Sequence, residues 1–239
     1  MLRRLAGPLR EFGLAAGLLY TLDRALQWLS PRLRLYCYEL MVQPITERPL
    51  IPARLTRQLE IREIRRGDPE LALMPPREQI TTARFDQGAV CLGAFQKGNF
   101  IAYMWFCFRA YEEDEVRCTY VLASEHDSVF DFDFYIFPEH RMGLAFAGLW
   151  NGANAVLRSR GIRNTFSRLT RFNLASRRAH KHLGWRRVGQ AMFLQAWRLE
   201  IMLATIRPFV SVTLAPGSRA RLRLAAGRLP PSQSVSSTK

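Results

Sequence analysis

Phe132 to Ala145 constrains this chain more than any other stretch, because it must pass from strand to helix with almost no loop between. Five of the six residues from Phe132 to Phe137 are aromatic or β-branched, the side chains that suit a pleated, half-buried strand. Pro138 has no N–H to donate and ends the ladder. From Gly143 onward Ala145, Ala147, Leu149, Ala153, Val156 and Leu157 recur at helical spacing. The first N–H groups of such a helix have no partner within it, and its N-terminus is the positive end of the helix dipole. His140 to Ala145 therefore form a place for a phosphate. An ordinary strand-to-helix turn is the plain alternative.

Charge bears on the same place. The 239 residues, 48% apolar, suffice for one good core and carry a net charge of +15. From His140 to Leu199 there are twelve Arg or Lys and no Asp or Glu, and the stretch from Ile201 adds six more basic residues with no acid. The first 139 residues are close to neutral, with 17 basic and 19 acidic groups. Positive charge is thus concentrated around the phosphate turn, a field that attracts polyanions of several kinds. Cys37, Cys91, Cys107 and Cys118 show no CxxC spacing, so neither a metal site nor a disulfide framework is expected. All four read as reduced thiols in a cytoplasmic protein.

Leu2, Leu5, Leu9, Phe12, Ala16, Leu19, Leu22, Leu26 and Leu29 mark an N-terminal amphipathic helix with Arg3, Arg4, Arg10 and Arg24 as its main charges. Its apolar run is far too short to span a bilayer. Two readings stay open for residues 2–29: peripheral contact with an anionic membrane at its inner face, or packing onto the protein's own body or a partner subunit. Pro31, Pro44, Pro49 and Pro52 then punctuate a connector to about residue 56. Residues 57–205 read as strand, helix, three antiparallel strands, helix, strand, helix, strand, with Lys97-Gly98-Asn99 as a hairpin turn. That order is an α+β fold, a mixed, mostly antiparallel central sheet flanked by helices. Residues 206–239 read as a basic, disordered tail, polar after Pro216 and least able to fold over Pro230 to Lys239. Glu112 to Glu115 reads as a solvated acidic turn.

A second stretch gives the first its chemistry. Asn173-Leu-Ala-Ser-Arg-Arg-Ala-His-Lys-His-Leu-Gly-Trp185 reads as a short helix closed by Gly184. Strand, phosphate turn, helix, strand, then helix–Leu–Gly–aromatic resembles the GNAT superfamily of N-acetyltransferases over roughly residues 59 to 200. That family's phosphate signature, Gln/Arg-x-x-Gly-x-Gly/Ala, is matched by His140-Arg-Met-Gly143-Leu-Ala145, with His in the first place. Its later signature is matched at its spacings by Asn173, Ser176, His180, Gly184 and Trp185.

The resemblance implies an acetyl-CoA (acyl-CoA) co-substrate, no metal, and an amine acceptor attacking the thioester directly. The diphosphate would lie on backbone N–H groups of Arg141, Met142, Gly143, Leu144 and Ala145, beside His140. His180 stands where the family has its tyrosine acid and would return a proton to the thiolate. For the base, strand alternation puts Asp131 and Asp133 on one face, opposite Phe130, Phe132, Phe134 and Ile136; Glu125 and His126 are alternates. Asn173 is either a helix N-cap or a group holding the thiol arm. Nucleic acid is not an expected partner of the enzyme; it would be one, as would anionic membrane, for a non-catalytic protein of the same fold. No serine elbow, Walker loop or zinc spacing occurs.

Overall fold

The computed structural model describes residues 14–75, 78–181, 183–215 and 217–227. In chain order the elements are α1 (Leu14–Leu29), β1 (Leu33–Pro44), a single turn α2 (Ala53–Thr56), β2 (Leu59–Ile64) and α3 (Glu78–Asp86). Next come β3 (Val90–Gln96), β4 (Asn99–Cys107), β5 (Ala110–Glu112), β6 (Cys118–Leu122), β7 (Ser128–Ile136) and α4 (Ala145–Ser159). The remainder is β8 (Asn164–Thr170), α5 (Leu174–Lys181), β9 (Arg186–Ala196), β10 (Leu199–Ala204), β11 (Val210–Thr213) and β12 (Ala220–Leu224).

Nine strands form one sheet in the order β11-β10-β9-β1-β8-β7-β4-β3-β2. Every neighbouring pair is antiparallel except β7 and β8, which the α4 crossover joins in parallel. The α+β class expected from the sequence is therefore the one observed. Hairpin β3–β4 turns through Lys97 and Gly98, both at positive φ (51° and 80°), the backbone a tight two-residue turn needs.

Three departures from the sequence reading concern the flanks. The supposed connector contains β1, a strand at the centre of the sheet between β8 and β9. Its prolines mark the ends, Pro31 before it and Pro44 as its last residue, so no interior ladder N–H is missing. The third of the three antiparallel strands, read over Val116 to Leu122, does not join the central sheet; β6 leaves it for a second one, β12-β6-β5. Its edge strand β12 lies in the supposed tail, where Ala220, Leu222 and Leu224 are buried and alternate with exposed Arg221 and Arg223. Residues 230–239, read as disordered, lie outside the described residues, as do residues 1–13 of the N-terminal helix.

The main sheet carries a core on each face. One face packs Trp105, Phe130, Phe132 and Phe166 under the small sheet and α3; the other packs Ala102, Met104 and Val129 against Leu149, Trp150 and Ala153 of α4. Helix α4 approaches β2 closely because it presents Gly148 and Gly152. A Cβ added at Gly152 would lie 2.5 Å from Cγ1 and 2.8 Å from Cβ of Ile61. Gly152→Ala is expected to destabilise the fold by about 1–3 kcal/mol through overpacking, read by chemical denaturation.

Candidate active site

The one parallel pair among the described strands of the main sheet also comes apart. Strands β7 and β8 pair from Ser128↔Asn164 to Asp131↔Ser167 and no further, although β7 runs to Ile136 and β8 to Thr170. Beyond Ser167, β8 pairs with β1 alone. On its other side β7 stays on β4, but with a bulge. Between Phe132↔Trp105 and Tyr135↔Tyr103 one extra residue is inserted, and Asp133 takes φ 47° to absorb it. A bulge of this kind bends its strand, here away from β8.

The gap opens into a cleft of about 560 Å³ lined by Phe134, Tyr135, Ile136, Arg141, Phe146, Asn173, Ser176 and His180. Three residues singled out from sequence, Arg141, Asn173 and His180, thus meet in one place. Phe146 was not foreseen, and Ser176 was named only as a position of the later signature, without a role. Ser176 follows Asn173 at a helical spacing with no chemistry attached, and Phe146 read as one more apolar residue of α4.

At the end of β7 the turn and α4 leave an open helix mouth. Leu144 occupies the N-cap position and no side chain caps the helix. The N–H groups of Met142, Leu144 and Ala145 find no acceptor among the described residues, whereas those of Arg141 and Gly143 close local turns onto Pro138 (3.4 Å) and His140 (3.2 Å) carbonyls. The expected row of five donors is therefore three. Gly143 needs no glycine-only backbone; a Cβ there would meet only the His140 carbonyl, at 3.5 Å. What its missing side chain does is leave the mouth clear. His140, Met142, Gly143, Leu144 and Ala145 border a separate hollow with Glu139 and Gln96, so only Arg141 reaches the cleft. Arg141 Nε donates to the Ile136 carbonyl (3.2 Å) and its guanidinium lies 5.8 Å from the Tyr135 ring, which fixes a positive charge at the cleft's rim.

Asn173 caps α5, its Oδ1 accepting the Ser176 N–H at 2.9 Å. The cap role leaves its NH₂ as the group it can offer the cleft. His180 is buried, with Nδ1 3.3 Å from Gln43 Oε1 and its ring edge-on to Phe146 and Trp150. Because Oε1 can only accept, Nδ1 donates and Nε2 remains an acceptor. Burial pushes its pKa down to about 4. An imidazolium acid is therefore the wrong role for His180, which is neutral at pH 7.

The two aspartates do not share a face, because the bulge between them shifts the alternation by one residue. Phe130 and Phe132 lie with the core under the small sheet, while Phe134 and Ile136 turn to the α4 side, where Val129 also lies. Asp131 belongs with Val129. It is buried at the fork of the two strands, accepts a hydrogen bond from Thr165 Oγ1 at 2.5 Å, and has its pKa raised to about 6 by desolvation. Asp133 faces the opposite way and pairs at 2.5 Å with Arg84, a buried guanidinium that also holds Asp114. Glu125 and His126 sit before β7, at the end away from the cleft, beside Arg223.

The acidic turn is not solvated either. Glu113 is buried and clamps Arg168, which also reaches Glu115 and lies 4.5 Å from the Tyr38 ring centre. Arg177 and Arg187 likewise meet Glu39. The basic half is in this way partly neutralised by carboxylates from the first half. All four cysteines are buried and free.

No family model matches the chain and no curated protein matches it. Among solved structures it is similar to a tandem GNAT protein from the clavulanic acid biosynthesis pathway (15% identity, 68% of this chain and 53% of that one, TM-score 0.46). It is also similar to a putative GNAT-family acetyltransferase from Novosphingobium aromaticivorans (14%, 67% and 64%, TM-score 0.44). A third is a GCN5-related N-acetyltransferase from Sphaerobacter thermophilus (14%, 70% and 53%, TM-score 0.43). The likeness is to GNAT-type acetyltransferases. The chain spans about half to two thirds of each of these structures. At such identities and TM-scores no residue role, substrate or activity passes from them to this chain.

Proposed function

We propose that this protein transfers an acyl group, most simply acetyl, from a coenzyme A thioester to an amine. The observation that carries the proposal is the divided parallel pair: where β7 leaves β8 a cleft is walled by β7, α4 and α5, and the uncapped helix mouth borders a neighbouring hollow, with Arg141 reaching from that turn into the cleft. A slot of this shape suits a long thin arm ending in a diphosphate. The free N–H groups of Met142, Leu144 and Ala145 and the Arg141 guanidinium supply donors for the diphosphate. Phe134, Ile136 and Phe146 supply apolar walls, and the Asn173 NH₂ a donor for an amide of the arm. When bound, the thioester provides the electrophilic carbonyl.

Asp131 is the group this reading assigns as base, directly or through water. With a pKa of about 6 it is ionised at pH 7 yet basic enough to take a proton from an ammonium or an attacking amine. His180 keeps an acceptor, Nε2, and holds the Phe146–Trp150 wall in place. The pairing of Arg168, Arg177 and Arg187 with carboxylates leaves less free charge for a nucleic acid than the sequence suggests.

Titration with acetyl-CoA is expected to raise the melting temperature, since a ligand at a hundred times its Kd stabilises by about 2.7 kcal/mol. Absence of any shift at millimolar acetyl-CoA, together with no thiol release in the presence of a panel of amines, would reject the proposal.

A further inference from the structure

Among the described residues fifteen large apolar side chains are exposed, and eleven of them lie on α1 or between Trp197 and Leu214. Directly opposed residues of neighbouring strands point to the same side of a sheet. Leu203 opposes Met192 and Val210, and Met192 opposes Cys37, so these side chains share one face. Helix α1 covers that face over Leu35 and Cys37 and stops there; Leu203, Val210 and Val212 are 44%, 56% and 58% exposed.

The helix leaves much of its own apolar surface uncovered, with Leu19 and Leu26 half-buried. It buries Ala16 and Gly17 against the sheet and presents Leu14, Leu18, Leu22 and Leu29 outward. Beyond its C-terminal end Leu33 pairs with Ala196, which sets the β9–β10 turn bearing Trp197 and Arg198 beside the α1–β1 turn bearing Arg32, next to Trp28 in the last turn of α1.

Charge identifies the occupant. Arg24, Arg32, Arg198 and Arg207 are exposed, and none has a carboxylate partner among the described residues. The two carboxylates of these elements are engaged: Asp23 accepts from the Leu35 N–H (2.9 Å) and Gln27 (2.5 Å), and Glu200 is buried toward the other face, on Arg117. A second copy of the chain would bring an arginine-rimmed surface against its like. A sheet of lipid phosphates is the complement. No described helix is long and apolar enough to cross a bilayer, so the contact would lie along its surface.

We propose that α1 and the uncovered face of β10–β11 form one docking surface for an anionic membrane. Leucine and valine side chains enter the headgroup boundary, the two indoles sit at its polar level, and the arginines meet phosphates. This is independent of the acyl-transfer reading.

Co-sedimentation of the full chain with vesicles tests it, using phosphatidylcholine alone and phosphatidylcholine mixed with phosphatidylglycerol. Binding to the mixed vesicles is expected to be at least about tenfold tighter and to weaken as salt rises. Leu18→Glu with Leu22→Glu is expected to reduce it by about tenfold or more, and Arg32→Glu with Arg198→Glu to remove the preference for anionic lipid. All four positions are exposed, and circular dichroism melts check that each variant folds. No binding to mixed vesicles overturns the proposal. So does a dimer, seen by sedimentation velocity without lipid, that Leu18→Glu with Leu22→Glu dissolves, because the second copy would then be the occupant.

Discussion

Gly143→Trp is expected to abolish acetyl-CoA binding, by about a hundredfold or more in Kd, while changing the melting temperature of the free protein by no more than a few degrees. The two halves of that expectation come from one measurement. A Cβ at position 143 meets nothing nearer than the His140 carbonyl at 3.5 Å, so the backbone accepts a side chain without strain. The indole must then stand in the mouth of α4, over the N–H groups of Leu144 and Ala145 that have no acceptor among the described residues. Isothermal titration with acetyl-CoA and a thermal melt of each protein separate the two effects. His180→Ala provides the contrast. It removes the edge contacts to Phe146 and Trp150 and leaves the helix mouth intact, so turnover should fall more than affinity. Equal loss of affinity in both variants would show that the mouth of α4 is not where the diphosphate rests. Unchanged affinity in Gly143→Trp would remove the site from the turn altogether.

How much of this was legible in the sequence depended on whether the signal was local. The β7–Pro138–α4 junction was legible because an aromatic run, a proline and a helical repeat each act through neighbours in the chain. Arg141 and Asn173 were legible for the same reason, His180 only through the resemblance to the acetyltransferase signature, and the fold brought all three to one cleft. The faces of Asp131 and Asp133 were not. Alternation at period two holds only while the ladder is regular, and one inserted residue at a positive φ reverses it. Nothing in Phe-Asp-Phe-Asp-Phe announces where that residue falls. Glu113 and Arg168 are 55 positions apart, so the acidic turn read as solvent-facing until the fold buried it on a guanidinium. Strand β1 was hidden by its flanking prolines, and β12 by arginines whose alternation with buried aliphatic residues mattered more than their charge.

The buried pair Asp131 and His180 leads to the second large expectation, two variants whose stability tilts in opposite directions with pH. Asp131 has its pKa raised from 3.8 to about 6 in the fold, so between those values the native state holds a proton that the unfolded chain has released. Its contribution is therefore most favourable at low pH and is lost as pH rises through about 6. His180 has its pKa lowered from 6.5 to about 4, so over nearly the same window the native state lacks a proton that the unfolded chain carries. Its contribution is fully present above pH 6.5 and is lost as pH falls toward 4. The two slopes oppose each other, and in the intact protein they largely cancel. Each shift corresponds to roughly 3 kcal/mol between its limits. Relative to the parent, Asp131→Asn is expected to gain stability steadily from pH 4 to 6, by roughly 1.4 kcal/mol per unit, because only the His180 slope remains. His180→Asn, which keeps an amide beside Gln43 and cannot ionise, should lose stability over the same range by a similar amount. Urea melts of the three proteins across this interval measure both, and parallel curves would mean that neither group is held as described. The same Asp131→Asn protein bears on catalysis: if Asp131 takes the proton of the amine, the acid limb of kcat/KM near pH 6 should vanish along with most of the rate. A variant that is more stable at pH 8, still binds acetyl-CoA and has lost that limb would place the base at the fork of the two parallel strands.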